Sequence, residues 1–436
     1  MLAALVAASM WFYVNGILRA HQIADANARQ VPRGNLSDLY PRWLGARELL
    51  LHRRNPYGED ITLEIQKGYY GRALDSSRPN DPKDREGFAY PAYVVFLLAP
   101  LVGFPFDTVR TFFHWLLIVI TVGSVWLWLR VLRWRLSWVG MAGAIALMLG
   151  SFPVVQGIKL QQLSLLVGGL LAGSVACVAM EFLFAGGALL ALATIKPQLT
   201  WIAVAWLLLW AVSDWRVRRK LIYGFASVMV LLLTGAEILL PGWWCMFAQA
   251  IGQYRQYTQS QSVVEVILKE ILGSVVRGNI SHLAAQVIAA AAVFAGGVLL
   301  WKLRRECSET SAFGCATALA LALTVLVVPM FAPYNQVLLL PAILLIVRGR
   351  TQFLLRSSAR RWAYRMGIIL VGWQWLASAA LTAAYWIVSP AWALDRWNWP
   401  FFATFALPVW IFVVLLFYIL SQSAQSYSHQ AGGQSS

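Results

Sequence analysis

Charged residues are scarce in this sequence. Only 12% of its 436 residues are Asp, Glu, Lys or Arg, whereas 59% are hydrophobic. Soluble domains carry about 25% charged residues, so this composition excludes an ordinary water-soluble domain. The apolar runs reach spanning length, which indicates a polytopic membrane protein. No long polar linker divides them, so we expect one membrane domain over residues 1–420, followed by a disordered cytoplasmic tail at 421–436 that is rich in Ser and Gln.

The residues of common metal and redox motifs are also few. The chain has four cysteines and five histidines, and neither a CxxC nor an HExxH spacing occurs. No DxD motif is present either. The sequence therefore predicts no disulfide framework, no metal site and no cofactor.

Acidic residues are particularly scarce, 19 against 35 basic ones, which gives a formal net charge of +16. The positive charge is concentrated in four short connections between apolar runs, at 130–135, 214–220, 301–306 and 348–365. Such connections are typical of cytoplasmic loops under the positive-inside rule, so the charge indicates topology and not nucleic-acid binding. All four lie on one side only if the apolar run 88–104 does not cross the membrane. We therefore predict an all-α bundle of about 12 spanning helices with both termini in the cytoplasm.

Two extracytoplasmic loops follow from this topology, at 19–107 and 241–282. Apolar residues recur from Leu36 at intervals of three and four, which predicts an amphipathic interfacial helix in the first loop. Its polar face would carry Asp38, Arg42 and Glu48. Asp38 would stand at the start of this helix, where it is either an N-cap, a role that Asp fills well, or a functional carboxylate.

Five stretches, in this order along the chain, carry a family resemblance. They are "DLYPRWLGARELLLHRRNPY" from Asp38, "FAYPAYVVFLLAPL" (88–101), "QGIKLQQLSLLVGGLLAG" (156–173), "GGALLALATIKPQL" (186–199) and "PMFAPYNQVLLLPAILL" (329–345). Together they resemble glycosyltransferase family 87 of the GT-C superfamily. Trp43, His52, Ala92 and Gln161 depart from the family pattern, and none of these departures touches Asp38.

The resemblance implies a GT-C fold and the transfer of a sugar, with mannose expected, from a polyprenyl-phosphate donor. The acceptor would be a lipid or a glycan, and the reaction would take place on the extracytoplasmic face of the bacterial cytoplasmic membrane, among membrane lipids. It also implies inversion at the anomeric carbon, with Asp38 as the general base.

Such a transfer needs a base for the acceptor hydroxyl and positive charge near the leaving phosphate. Candidate cations on the external side are Arg42, Lys159, Lys196 and Arg255. The lysines could instead be interfacial anchors. Gln161, Gln162 and Ser164 could contact the sugar or hydrogen-bond between helices. The candidate lining residues are Tyr90, Tyr334 and Asn335, and a structural turn is the alternative for the last two.

Two other classes remain open from the residues alone. A flippase or transporter of lipid-linked sugars would place ionisable groups midway along helices and would show inverted repeats. A non-catalytic scaffold of the cell envelope would not need Asp38. The clustering of charged groups at one face favours the transferase.

Overall fold

A computed structural model describes residues 1–31, 34–75, 77–257, 261–272, 278–329, 331–351 and 358–432. Within these ranges the chain is helical and contains no strand. The helices are α1 (Leu2–Ala28, with a π-helical turn at Tyr13–Leu18), α2 (Tyr40–His52), α3 (Glu59–Tyr70), α4 (Val94–Leu98), α5 (Phe106–Val131), α6 (Trp138–Leu149), α7 (Phe152–Lys159), α8 (Leu163–Ala179), α9 (Leu183–Ala193), α10 (Pro197–Val212), α11 (Trp215–Leu239), α12 (Trp243–Tyr257), α13 (Val263–Leu272), α14 (Gly278–Leu303), α15 (Ser311–Val327), α16 (Leu340–Arg348), α17 (Ser358–Ile387), α18 (Pro390–Asp395) and α19 (Phe402–Gly432).

Six helical segments in the described ranges are long and apolar enough to cross a membrane. They are α1, α5, α11, α14, α17 and the segment Pro390–Leu420, which contains α18 and the first part of α19. The pair α6 and α7, bent by 57° at a short break, adds a seventh if it is one span. Five shorter apolar segments, α8, α9, α10, α15 and Pro333–Arg348, pack among them. The predicted all-helical, multi-pass membrane protein is confirmed, whereas the count of twelve spans and the GT-C type of the bundle stay predictions.

The apolar run 88–104, expected not to cross the membrane, forms only α4 and one 3-10 turn at Ala99–Leu101. These eight residues are far shorter than the ~20 that a spanning helix needs. The second predicted loop, 241–282, contains α12, α13 and the start of α14. Residues 258–260 and 273–277 of it lie outside the described ranges.

Both ends of the chain differ from the predicted bounds. The first helix runs to Ala28, ten residues into the predicted first loop. At the other end, α19 continues to Gly432, beyond the predicted tail boundary at Leu420. Residues 433–436 lie outside the described ranges, and the disorder of the tail stays a prediction.

The four basic connections meet at one end of the bundle. Arg133 forms an ion pair with Glu309 at 3.1 Å, and Arg348 donates to the carbonyl of Leu132. Arg218 donates to the carbonyls of residues 304, 305 and 306 at 3.1–3.2 Å. Helix α5, with 26 residues, separates this basic end from the first loop by about 39 Å.

Helices α9 and α11 approach each other through glycine. A Cβ built on Gly187 would lie 2.0 Å from the carbonyl oxygen of Leu221, and one on Gly224 would lie 2.0 Å from that of Phe184. Small residues allow this contact between helix backbones, as is common in membrane bundles. The contact packs α9, the helix before Lys196, closely against α11.

The first-loop helix differs from its prediction in two ways. Helix α2 begins at Tyr40, after Leu39, and no side chain caps it, so Asp38 is not its N-cap. Arg42 and Glu48, predicted on an exposed polar face, are 8% and 7% exposed. The amphipathic interpretation was wrong because α2 is covered on both faces: Trp43 packs on Phe106, and Glu48 forms an ion pair with Arg54 at 2.9 Å.

Candidate active site

Asp38 lies in a short loop that is fixed at several points to the bundle. Its backbone N–H donates to the carbonyl of Leu160 at 3.0 Å, in the break between α7 and α8. The preceding Ser37 donates its hydroxyl to Gln161 Oε1 at 2.6 Å, and the amide of Asn35 donates to the carbonyl of Gly68 at 2.9 Å. The loop therefore holds Asp38 against the start of α8.

The carboxylate of Asp38 accepts two side-chain hydrogen bonds. Gln162 Nε2 donates to Oδ2, and the Tyr69 hydroxyl donates to Oδ1 at 3.3 Å. Within the described residues Asp38 forms no salt bridge. Its side chain is half-buried and lines a cavity that also contains Lys196 and Arg42, hereafter the main cavity.

Lys196 lies in the break between α9 and α10, directly before Pro197. Its side chain is buried, with 4% of the residue exposed. The ammonium donates to Gln162 Oε1 at 3.0 Å and to Ser164 Oγ at 2.7 Å, and Ser164 in turn donates to Asn335 Oδ1 at 2.9 Å. Gln162 therefore bridges the carboxylate and the ammonium, with one end of its amide on each.

Arg42 lies in the first turn of α2, four residues after Asp38. Its Nη1 donates to the backbone carbonyl of Asp38 at 2.6 Å, and its guanidinium stacks 4.5 Å from the centre of the Tyr90 ring. Arg42 Nε is buried and has no hydrogen-bond partner among the described residues. The backbone carbonyl of Tyr90 accepts a hydrogen bond from the Tyr57 hydroxyl at 2.6 Å, which fixes the position of Tyr90. A buried donor without a partner is costly, which indicates that a ligand could complete this group.

These residues open into a cavity of about 460 Å³. This volume lies within the ~300–1,000 Å³ range typical of small-molecule sites. The ionisable groups that line it are three carboxylates and three cations: Asp38, Asp84, Glu86, Arg42, Lys196 and Arg255. Tyr334 covers the ammonium of Lys196, with the ring centre 5.1 Å from Nζ.

Burial raises the pKa of Asp38 above the ordinary value of an aspartate. Four neighbouring groups lower this pKa. In decreasing order of size, they are the charge of Arg42, the hydrogen bond from Gln162, the charge of Lys196 and the hydrogen bond from Tyr69. A carboxylate with a raised pKa holds a proton more strongly than a free aspartate, which suits a general base that works near neutral pH. The geometry thus provides a carboxylate next to two buried cations.

Six of the eight predicted site residues come together at this cavity: Asp38, Arg42, Tyr90, Lys196, Tyr334 and Asn335. Lys159 and Gln161 do not line it. Gln161 instead binds Ser37 and the carbonyls of Ile158 and Lys159, in a left-handed backbone conformation (φ 50°). The position expected for Gln161 is occupied by its neighbour Gln162.

Four further residues that line the cavity were not predicted from the sequence: Tyr69, Asp84, Glu86 and Tyr254. The two acids belong to the polar stretch between α3 and α4, which has no periodicity to indicate where its side chains point. For Asp84 and Glu86, the sequence feature that could have indicated a role is that they are acids in a predicted external loop.

No group of three or more His, Cys, Asp or Glu side chains that could hold a metal ion occurs in the described parts of the chain. The expectation of a metal-independent, cofactor-free reaction stays a prediction. The cations available in the cavity are the side chains of Arg42, Lys196 and Arg255.

The fold and the cavity define a multi-pass helical membrane protein with an ionisable site formed at helix ends. The family model for glycosyltransferase family 87 matches residues 88–329, more than half of the sequence, and the chain belongs to this family. It is therefore a membrane glycosyltransferase. The matched range contains Tyr90, Gln162 and Lys196, whereas Asp38 and Arg42 precede it. Comparisons with curated proteins and with solved structures give no match.

Proposed function

We propose that the protein transfers a sugar, with mannose as the expected one, from a polyprenyl-phosphate donor to a lipid or glycan acceptor, with inversion at the anomeric carbon. The observation that carries this proposal is that Asp38 faces the same cavity as the buried cations Arg42 and Lys196. The identity of the sugar rests on the resemblance of the sequence motifs to the family.

In this mechanism Asp38 is the general base. It takes the proton of the acceptor hydroxyl while that oxygen attacks the anomeric carbon from the face opposite to the phosphate. A second catalytic carboxylate is not required, because a lipid phosphate leaves as an anion and needs little protonation; glycoside hydrolases, by contrast, use a second carboxyl to protonate the leaving group.

Arg42 and Lys196 are the proposed partners of the donor phosphate. Both are buried, so their charge acts at low effective dielectric and stabilises a developing phosphate anion more than an exposed cation would. The unpartnered Arg42 Nε offers a donor that a phosphate oxygen can take up.

A lipid donor also needs an apolar path for its chain. A second cavity of about 430 Å³ is lined almost entirely by apolar side chains of α5, α6, α16, α17 and α19. The 3-10 segment Pro333–Leu339 contributes to both cavities, since Asn335 lines the main cavity and Gln336 lines the apolar one. We assign it to the polyprenyl chain of the donor.

The proposed orientation places the cavity on the extracytoplasmic side of the bacterial cytoplasmic membrane. The four basic connections gather at the end of the bundle remote from Asp38, and basic connections are cytoplasmic under the positive-inside rule.

The test is transfer of radiolabelled mannose from polyprenyl-phosphate mannose by the purified protein in nanodiscs, with envelope lipids or glycans as acceptors. We expect Asp38→Asn to lower kcat by at least about 10²-fold, the lower range for losing a general base. The control is Asp60→Asn, which removes a carboxylate of the same loop that is exposed and paired with Arg54; it should leave turnover unchanged.

Full turnover by Asp38→Asn would remove Asp38 as the base. If the wild-type protein instead moved the lipid-linked sugar between leaflets of a liposome without transferring it, the flippase interpretation would replace the transferase.

A further inference from the structure

Two carboxylates of the main cavity take no part in the mechanism above. Asp84 and Glu86 follow one another at a spacing of two in the segment between α3 and α4, and the backbone N–H of Glu86 donates to Asp84 Oδ1 at 3.1 Å. Glu86 has a left-handed backbone (φ 39°), a conformation that is uncommon for a residue with a side chain. Both side chains of this turn line the main cavity.

These two acids differ from the six carboxylates of residues 40–83, each of which forms an ion pair with an arginine. Glu48, Asp60 and Glu64 pair with Arg54, Glu59 pairs with Arg85, Asp75 pairs with Arg78, and Asp81 pairs with Arg72. Within the described residues, Asp84 and Glu86 form no ion pair. Arg42 and a hydrogen bond from Tyr69 lower the pKa of Glu86, and Asp84 Oδ1 accepts from the Glu86 N–H. The carboxyl lone pairs that remain can accept hydrogen bonds from a ligand.

Their position marks one side of the cavity. A smaller cleft of about 50 Å³ adjoins the main cavity, and Asp84, Glu86, Ala89 and Tyr254 line both. The main cavity, but not the cleft, is also lined by Asp38, Gln162, Lys196 and Asn335. The acidic pair therefore lies where the main cavity continues into the cleft, on the side away from Lys196.

The chemistry of the pair suits hydroxyl groups. Burial raises the pKa of both carboxyls, and burial followed by the neighbouring Asp84 raises the pKa of Glu86 to about 8. Each carboxyl offers acceptor oxygens when ionised and one donor when protonated. A neighbouring pair of sugar hydroxyls matches this arrangement, whereas two adjacent carboxyl groups disfavour an anionic group in the same place.

We propose that Asp84 and Glu86 bind the hydroxyls of an uncharged sugar ring that belongs to the acceptor. This inference rests on the proposed function, and it names the acceptor class: a neutral glycan or the neutral sugar headgroup of a glycolipid. The donor phosphate occupies the side of Arg42 and Lys196, and the acceptor sugar reaches Asp38 from the side of the cleft.

The first experiment measures binding without turnover. Saturation-transfer NMR is recorded on the full-length protein in nanodiscs with methyl α-mannobioside and with its 6-phosphate. We expect signal from the neutral probe on the wild-type protein and a signal at least about fivefold weaker in Asp84→Asn and Glu86→Gln. Asp84→Asn keeps the oxygen that accepts from the Glu86 N–H, so the turn should survive. Asp60→Asn, outside both cavities, is the matched control and should bind like the wild type.

The second experiment separates the acceptor from the donor. With methyl α-mannobioside as acceptor, we expect either variant to raise the KM for the acceptor about tenfold or more and to leave the KM for polyprenyl-phosphate mannose unchanged. A tenfold change corresponds to 1.4 kcal/mol, the lower range for a hydrogen bond to a charged group.

Several outcomes would overturn the inference. Binding that is unchanged in both variants would do so, as would a 6-phosphate probe that binds the wild type as well as the neutral probe. A change in the donor KM alone would assign the pair to the donor sugar. Absence of any transfer by the wild type would refute the proposed function, and the NMR experiment would still decide whether the pair binds a neutral sugar.

Discussion

Gln162 provides the most direct test of how the site sets the protonation of Asp38. It donates to the carboxylate and accepts from the ammonium of Lys196, and only 4% of its surface is exposed. The perturbation is Gln162→Met, which keeps the length of the side chain and removes both hydrogen bonds. Without the donor, the ionised form of Asp38 is less stable, so its pKa rises further above the ordinary value.

The size of the effect follows from the energy of the lost bond. A hydrogen bond to a charged group contributes about 1.5–3 kcal/mol. One pKa unit corresponds to about 1.36 kcal/mol. The pKa of Asp38 should therefore rise by about one to two units, with the lower value expected if water enters and replaces part of the interaction.

The assay is the pH dependence of kcat/KM for sugar transfer, which reports the essential base of the free enzyme. Because the base must be ionised, activity is present above the pKa of Asp38 and is lost as the pH falls through it. The acid limb of the profile should move to higher pH in Gln162→Met. Gln161→Met is the matched control, because Gln161 binds Ser37 and not Asp38; it can lower the rate but should leave the limb in place.

An acid limb that stays in place in Gln162→Met, with a lower rate at every pH, would refute this reasoning. Gln162 would then position the substrate without setting the protonation of Asp38. A limb that moved equally in both variants would indicate a general disturbance of the break between α7 and α8.

Two further predictions concern the cation and the packing of the bundle. Lys196→Met should raise the KM for the donor lipid at least about tenfold, because a buried charge-assisted contact is lost. Lys159→Met changes a lysine that does not line the cavity and should leave this KM unchanged. Equal donor KM values in both variants would assign Lys196 to anchoring. Gly187→Leu should destabilise the protein by about 1–3 kcal/mol or more through overpacking against α11, which thermal unfolding in detergent would measure. The control is Gly372→Leu, at a position where a Cβ meets no described atom within 4 Å, and it should have no effect. Equal melting temperatures for both variants would contradict the close contact between α9 and α11.

The sequence predicted the helical membrane class well because hydropathy is a property of long windows. A run of apolar residues indicates a buried or lipid-facing helix whatever its neighbours are. The same signal is weak for short helices: α9 has 11 residues, and the 3-10 segment before α16 has seven. Such elements need the surrounding bundle, so their number and bounds are difficult to read from composition.

At the candidate site, the residues predicted best were those with an unusual chemical setting. Lys196 stands before a proline between two apolar stretches, and Asp38 follows the first apolar segment. Both settings can be recognised in the sequence. The choice between Gln161 and Gln162 was not, because a single backbone reversal at Gln161 (φ 50°) decides which amide faces the cavity. Arg42 and Glu48 were placed on the wrong surface because periodicity cannot show that a second element covers the polar face.

The arrangement around Gln162 also explains how a carboxylate and a cation remain available in the same cavity. A direct ion pair between Asp38 and Lys196 would lower the pKa of the carboxylate and would neutralise the charge that we propose for the donor phosphate. The amide of Gln162 lies between them and binds each through one end, so both side chains are oriented without neutralising each other. All three residues lie at loops or helix ends, not midway along spanning helices, where an ionised group would cost several kcal/mol. The breaks before α8 and α10 therefore allow this membrane protein to hold a carboxylate and an ammonium group in one cavity.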